Sequence, residues 1–153
     1  MDLNWTIKHF SDLSTRELYE IIGLRIEVFV VEQNCPYQDA DRKDHTSFHV
    51  MGFDGSHQLV AYSRVLPAGI SFEETSIGRV CTSAKVRKKK AGKALMEQSL
   101  LFISQKYGFV PVRIGAQCYL KQFYSGLGFH IASSEYLEDN IPHVEMLFHP
   151  VSS

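Results

Sequence analysis

Apolar and polar positions change their period several times along the chain, and each change predicts an element. Trp5, Ile7 and His9 recur at every second residue, the period of a short half-buried strand. Ser14 stands three residues before Glu17, the pattern of a helix-capping box. Leu18, Ile21, Ile22, Arg25, Phe29 and Glu32 follow at helical spacing, so a helix is expected from about Thr15 to Glu32. The polar run from Asn34 to His45 contains Pro36 and reads as a loop. Ser47 to Phe53 and Gln58 to Leu66 are strand-like, with the turn residues Asp54 and Gly55 between them. After a loop from Pro67 to Glu73, Thr75 to Ser83 reads as a further strand that includes Ile77, Val80 and Thr82.

A long helical run opens at Arg87 and ends near Tyr107, where Gly108 holds the place of a C-terminal glycine cap. Val110 to Gly115 is expected as a strand and Tyr119 to Ser125 as a short helix. Gly128-Phe129 opens another strand, and His143 to His149 forms the last one. The predicted order is β-α-β-β-β-α-β-α-β-β. Strands and helices mix without strict alternation, which places the chain in the α/β class, with a mixed sheet flanked by helices.

The length of 153 residues suits one compact domain, residues 1–153. Ten phenylalanines and seven tyrosines supply a well-filled core and argue against disorder. Met1 to Phe10 has no apolar run of signal-peptide length, and no segment approaches a membrane span. Cys35, Cys81 and Cys118 fit neither a metal-ligand spacing nor a disulfide framework, so they read as reduced thiols of a cytoplasmic protein. Sixteen basic residues against seventeen acidic ones give a net charge of -1 and no general reason to expect a nucleic-acid partner.

Charge matters locally instead. Five of the seven residues from Arg87 to Lys93 are basic, at the entrance of the long helix. Cations there oppose the helix dipole by about 0.3–1 kcal/mol each at low salt, and a bound anion reverses that sign. Free backbone N–H groups at the turn can hold phosphate oxygens, with the lysines adding charge and Gly92 permitting close approach. The bland alternative is a solvated lysine run, and RNA contact through the same run is a third reading. Further along, Gln117 to Phe129 places Tyr124 four residues before Gly128-Phe129. A tyrosine near a reacting thioester can protonate the departing sulfur. Taken alone, Tyr124 reads as a core-edge residue with a locally satisfied hydroxyl; the basic helix entrance one strand upstream is what favours the acid.

Arg87 through Met96 resembles the pyrophosphate motif of the GNAT acetyltransferases, matching at Arg87, Gly92, Leu95 and Met96, with Lys90 where the first glycine is usual. Phe123-Tyr124 and Gly128-Phe129 resemble the second motif of that family, with Gln117 in place of the usual asparagine. The resemblance implies a GNAT-like fold with a central, mostly antiparallel mixed sheet, and acetyl-coenzyme A as acyl donor. It implies pantetheine contacts at Val80, Cys81 and Thr82 and pyrophosphate contacts across Arg87, Lys88, Lys89, Lys90, Ala91, Gly92 and Lys93. Gln117 would hydrogen-bond the cofactor, and Tyr124 would act as general acid in direct transfer to a primary amine.

Leu24 to Asp39, Ile77 to Val80, Gly115 to Gln117 and Ile141 to His143 are similar to the ElaA-like branch of that superfamily, which leaves the amine, small molecule or peptide, open. Arg25, Phe29, Arg64 and the acidic stretch Asp39 to Asp44 also resemble acyl-homoserine lactone synthases, although Cys35-Pro36-Tyr37 stands where those enzymes carry a tryptophan. Arg25, Phe29, His49 and Arg64 are therefore candidate acceptor-side residues, and Glu32 or His49 a candidate base. Asp39, Asp41 and Asp44 would favour a cationic acceptor if they line the cleft. Seven histidines show no ligand spacing, so no metal is expected. A coenzyme A-binding module without turnover stays open, and a homodimer is one option for the assembly.

Overall fold

The computed structural model describes residues 2–151. Its strands are β1 (Asn4–His9), β2 (Phe48–Phe53), β3 (Leu59–Leu66), β4 (Thr75–Thr82), β5 (Val112–Gln117), β6 (Phe129–Ile131), β7 (Tyr136–Glu138) and β8 (Ile141–Phe148). The helices are α1 (Thr15–Arg25), α2 (Ala91–Tyr107) and α3 (Lys121–Gly126). The sheet runs β1-β2-β3-β4-β5-β8-β6, with β7 paired to β8. Every pairing is antiparallel except β4 with β5.

The expected capping box is present: Ser14 accepts from the Glu17 amide at 3.0 Å and Glu17 accepts from the Ser14 amide at 2.8 Å. The predicted first helix is continuous in extent but not in kind. α1 widens into a π-helical turn over Ile26–Glu32, a geometry frequent at functional sites. At the other end of α2, the Gly108 amide bonds the Ser104 carbonyl with φ 83°, a backbone region that glycine enters without penalty.

β3 sits at the centre, buried along all eight residues. On one face Ala61 and Val65 meet Leu95, Met96 and Ile103 of α2. On the other, Tyr62 and Met51 of β2 meet Ile21, Leu24 and Val28 of the first helical layer. Burying an aliphatic side chain of this kind stabilises the fold by roughly 1.5–3 kcal/mol, so the two layers clamp β3 and β4 in place. Tyr136–Glu138 and the start of β8 at Ile141 go beyond the predicted strands. Asp139 and Asn140 join them as a two-residue turn with φ 49° and 66°, the twist that tight hairpins require.

Candidate active site

β4 and β5 run together only at their start. Thr75 pairs with Val112 and Ser76 with Arg113, and no later pair joins them among the described residues. A bulge lies just beyond. Tyr62 pairs with Cys81 and Arg64 with Gly78, so Ser63 of β3 faces both Arg79 and Val80 of β4. An extra residue on one strand bends it and raises its twist, which carries β4 away from β5. The gap is an open cleft of about 940 Å³, at the upper end of the roughly 300–1,000 Å³ range of small-molecule sites.

Gly78 to Thr82 form one wall, and Ile114, Gly115 and Gln117 the other. Arg87, Lys90, Gly92 and Lys93 line the cleft at the entrance of α2. Phe29, Glu32, Gln33, Glu138, Asp139 and His143 line it from the first helical layer and the β7–β8 hairpin.

The helix entrance is shaped by its backbone. Arg87–Lys89 form a single 3-10 turn, and Lys90 takes a left-handed conformation with φ 60° and ψ 22°. The lysine that replaces the usual glycine thus adopts the glycine-like conformation, at a cost on the order of 1 kcal/mol. No side chain caps α2 at Lys90. The first helical bond runs from the Ala94 amide to the Lys90 carbonyl. The amides of Ala91, Gly92 and Lys93 therefore have no intrahelical acceptor and, among the described residues, no side-chain one. A Cβ at Gly92 would lie 3.5 Å from Phe123, an ordinary contact, so protein packing alone does not demand glycine there.

Not every predicted contact reaches the cleft. The Ala91 side chain is buried beside Val60 and Val86. Lys89 lies toward Asp2, Leu3 and Trp5, and the Lys88 side chain is exposed outside the cleft lining. Arg87 lines the cleft but is already engaged. Its Nε and Nη2 donate to the Thr82 carbonyl at 3.1 and 2.9 Å, and Nη2 also donates to the Glu32 carboxylate. Glu32 is thus held in an ion pair across the cleft rim.

Tyr124 faces the cleft with only 5% of its surface exposed. Phe123 and Phe129 hold its ring edge-on at 5.0 and 5.8 Å. Its hydroxyl has no hydrogen-bond partner among the described residues. Burial pushes the phenol above its ordinary range, with Tyr119 and Cys81 adding to the effect. The group therefore keeps its proton at neutral pH, as a general acid must. Burial also raises the Cys81 thiol, which disfavours the thiolate that nucleophilic catalysis would need.

Three expected acceptor-side residues lie elsewhere. Arg25 is 1% exposed, Arg64 3% and His49 0%, and none lines the cleft. Arg25 Nη1 donates to Asp44 at 2.7 Å and Nη2 to the Asp39 carbonyl at 3.0 Å. Its Nε lies 2.9 Å from Asp39 Oδ2, close enough for an ion pair but off the direction of a hydrogen bond. Arg64 donates to Asp41 at 2.8 and 2.6 Å and to Asp44 at 2.9 Å. His49 is fixed between the Tyr62 hydroxyl at 2.6 Å and the Asp44 carbonyl at 3.0 Å, and burial lowers its basicity. The physical reason for the correction is charge balance: buried guanidinium groups need carboxylates, and Asp39, Asp41 and Asp44 are consumed in that role.

The structure adds Gln33 and the β7–β8 hairpin residues to the cleft lining, and it engages the expected Gln117. Gln33 and Gln117 exchange amide hydrogen bonds of 3.1 and 3.3 Å across the cleft. Glu138, Asp139 and His143 enter through the β7–β8 hairpin, for which Asp139-Asn140 between alternating residues is the available sequence signal. His143 is 7% exposed, its Nδ1 lies 2.7 Å from the Ile141 carbonyl, and its Nε2 lies 3.5 Å from Glu138. Among the described residues no cluster of three or more potential ligands is disposed to hold a metal ion, and no helix is long and apolar enough to cross a membrane.

Comparison with known proteins gives the family and the fold. Residues 13–149 match the family model described as an acetyltransferase (GNAT) domain. Protein ElaA of Escherichia coli K12 is 42% identical over 146 residues, covering 94% of this chain and 95% of that protein. The crystal structure of Escherichia coli ElaA superposes with a TM-score of 0.90 at 40% identity, covering 97% of this chain and 100% of that one. An acyl-CoA N-acyltransferase from Pseudomonas aeruginosa gives a TM-score of 0.90 at 40% identity, covering 96% and 99%.

Proposed function

Because the chain belongs to the GNAT acetyltransferase family, in its ElaA-like branch, we propose that it moves the acetyl group of acetyl-coenzyme A directly to a primary amine of a small molecule or peptide. One observation carries this reading. A single cleft joins an uncapped, lysine-lined helix entrance to a buried tyrosine whose hydroxyl has no partner among the described residues. The amides of Ala91, Gly92 and Lys93, with Lys90 and Lys93, suit a pyrophosphate. Val80, Cys81 and Thr82 on one wall and Gln117 on the other suit the pantetheine arm.

The amine nitrogen attacks the thioester carbonyl carbon, the C–S bond breaks, and Tyr124 gives its proton to the thiolate sulfur. A positioned acid of this kind contributes roughly 10²–10⁴-fold. The free cysteines accord with a cytoplasmic setting.

The test is calorimetric titration with acetyl-coenzyme A beside Gly92→Glu, followed by thiol release with a panel of primary amines. The Gly92→Glu carboxylate would stand where the pyrophosphate is placed. Two like charges about 4 Å apart repel by about 1–4 kcal/mol between bulk water and a protein surface, so affinity should fall by about five- to a thousandfold. Equal affinity in both proteins would remove the pyrophosphate site, and absence of thiol release with every amine would remove the transferase.

A further inference from the structure

An aliphatic primary amine near neutral pH is an ammonium ion, and it must lose a proton before it can attack. The two groups that the sequence offers for that step are occupied: Glu32 is ion-paired to Arg87 and His49 is enclosed between Tyr62 and Asp44. His143 lines the cleft and is free to act. A carbonyl oxygen accepts hydrogen bonds only from donors, so the 2.7 Å contact between Nδ1 and the Ile141 carbonyl places the ring proton on Nδ1. The neutral ring then carries its lone pair on Nε2. That nitrogen lies 3.5 Å from the Glu138 carboxylate, which gains an ion pair once Nε2 is protonated. The Tyr136 ring, stacked at 5.8 Å and 27°, holds the imidazole plane.

From these contacts we infer that His143 Nε2 takes the proton from the acceptor ammonium, with Glu138 stabilising the imidazolium. The inference rests on the acyl-transfer reading above. The charged and titratable groups around the ring are Glu138 and Tyr136 on β7 and Asp139 in the turn; β5 presents the neutral Gln117 as cross-strand neighbour. Glu145, next but one along β8, is engaged by Arg113 at 3.0 Å. The balance closes. His143 removes one proton from the ammonium, the neutral amine forms the C–N bond, and the C–S bond breaks as Tyr124 protonates the sulfur. The second nitrogen proton returns to the Tyr124 phenolate directly or through water. His143 releases its proton to solvent, and the products are the amide, the free thiol and one proton.

The experiment is the pH profile of kcat/KM for thiol release from acetyl-coenzyme A with primary aliphatic amines, in wild type, His143→Gln and Glu138→Gln. His143→Gln should lose about 10²-fold or more in kcat/KM, lose the acidic limb of the profile, and keep its acetyl-coenzyme A affinity by calorimetry. Glu138 is exposed at the hairpin, so its variant folds independently of the core; it should shift the acidic limb to lower pH with a smaller loss of rate. Wild-type turnover with both variants retaining rate and limb would overturn the role of His143 and leave the transferase standing. No wild-type turnover with any amine would overturn the transferase and this assignment together.

Discussion

Asp44→Ala should cost far more than an ordinary surface substitution. Asp44 Oδ1 accepts from Arg25 Nη1 at 2.7 Å and from Arg64 Nη1 at 2.9 Å. The two arginine side chains are only 2% and 4% exposed, so solvent cannot take over the lost contacts. The substitution leaves Arg25, Arg64 and Arg79 facing Asp39 and Asp41 alone. Breaking a buried ion pair by removing one partner costs about 3–5 kcal/mol. At about 2–4 °C per kcal/mol for a chain of this size, the melting temperature should drop by about 6–20 °C. Scanning calorimetry at neutral pH reads this directly. Asp44→Asn, which keeps an acceptor oxygen but no charge, should fall between wild type and alanine. A drop below about 3 °C, under the 1 kcal/mol level of a surface pair, would refute the reasoning. At a temperature where the variant is folded, its acetyl-coenzyme A affinity should match wild type, since Asp44 does not line the cleft. Lost affinity with intact stability would put the arginine cluster back into the site.

Tyr124→Phe should lower kcat by about 10²-fold or more with little change in acetyl-coenzyme A affinity; steady-state kinetics with equal kcat in both proteins would remove the tyrosine from the chemistry. Stability should also fall in acid. Burial opposes ionisation of Asp41 and Asp44, but the hydrogen bonds and charge of Arg64 and Arg25 outweigh it, so both carboxyls are lowered in the folded state. A lowered folded value contributes stability above the unfolded value of about 3.9, lost as pH falls below it toward the folded values. Urea midpoints should therefore hold down to about pH 4 and then decline, with a shallower decline in Asp44→Ala; equal slopes in the two proteins would contradict the assignment.

Where information was local in the chain, the sequence was readable. The capping box at Ser14, the strands β2 and β3 on either side of the Asp54-Gly55 turn, and the terminal glycine of α2 each depend on residues within a few positions, and each appears in the structure. The basic entrance and Tyr124 stand out in the sequence because each lies in a short string of distinctive residues. The place of Arg25 is not legible locally because its partners Asp39 and Asp44 lie 14 and 19 residues away in a polar stretch that reads as solvated loop. The bulge at Arg79 and Val80 leaves no mark on hydrophobic period, since it is defined by what β3 places opposite. The β7–β8 hairpin leaves little trace in the sequence because its first strand has only three residues, two of them exposed, too few for a period to register.

The buried ion cluster and the cleft are one construction rather than two. Arg79 has φ 50°, a conformation that costs a side-chain-bearing residue on the order of 1 kcal/mol and persists only where surroundings over-determine it. Those surroundings are the cluster. Arg79 Nε donates to Asp39 Oδ1 at 2.9 Å, Nη2 donates to the Asp39 carbonyl at 2.9 Å, and its guanidinium lies 5.4 Å over the Tyr37 ring. The carboxylate that balances Arg25 thus also holds the residue at which β4 turns from β5. The bulge sets the width of the cleft, and the backbone of Val80 to Thr82 follows from it. Arg25, through Asp39, and Arg64, through Asp41, therefore serve the site from one layer behind its wall. Charges that look like acceptor contacts on paper act by fixing the strand along which the donor is proposed to lie.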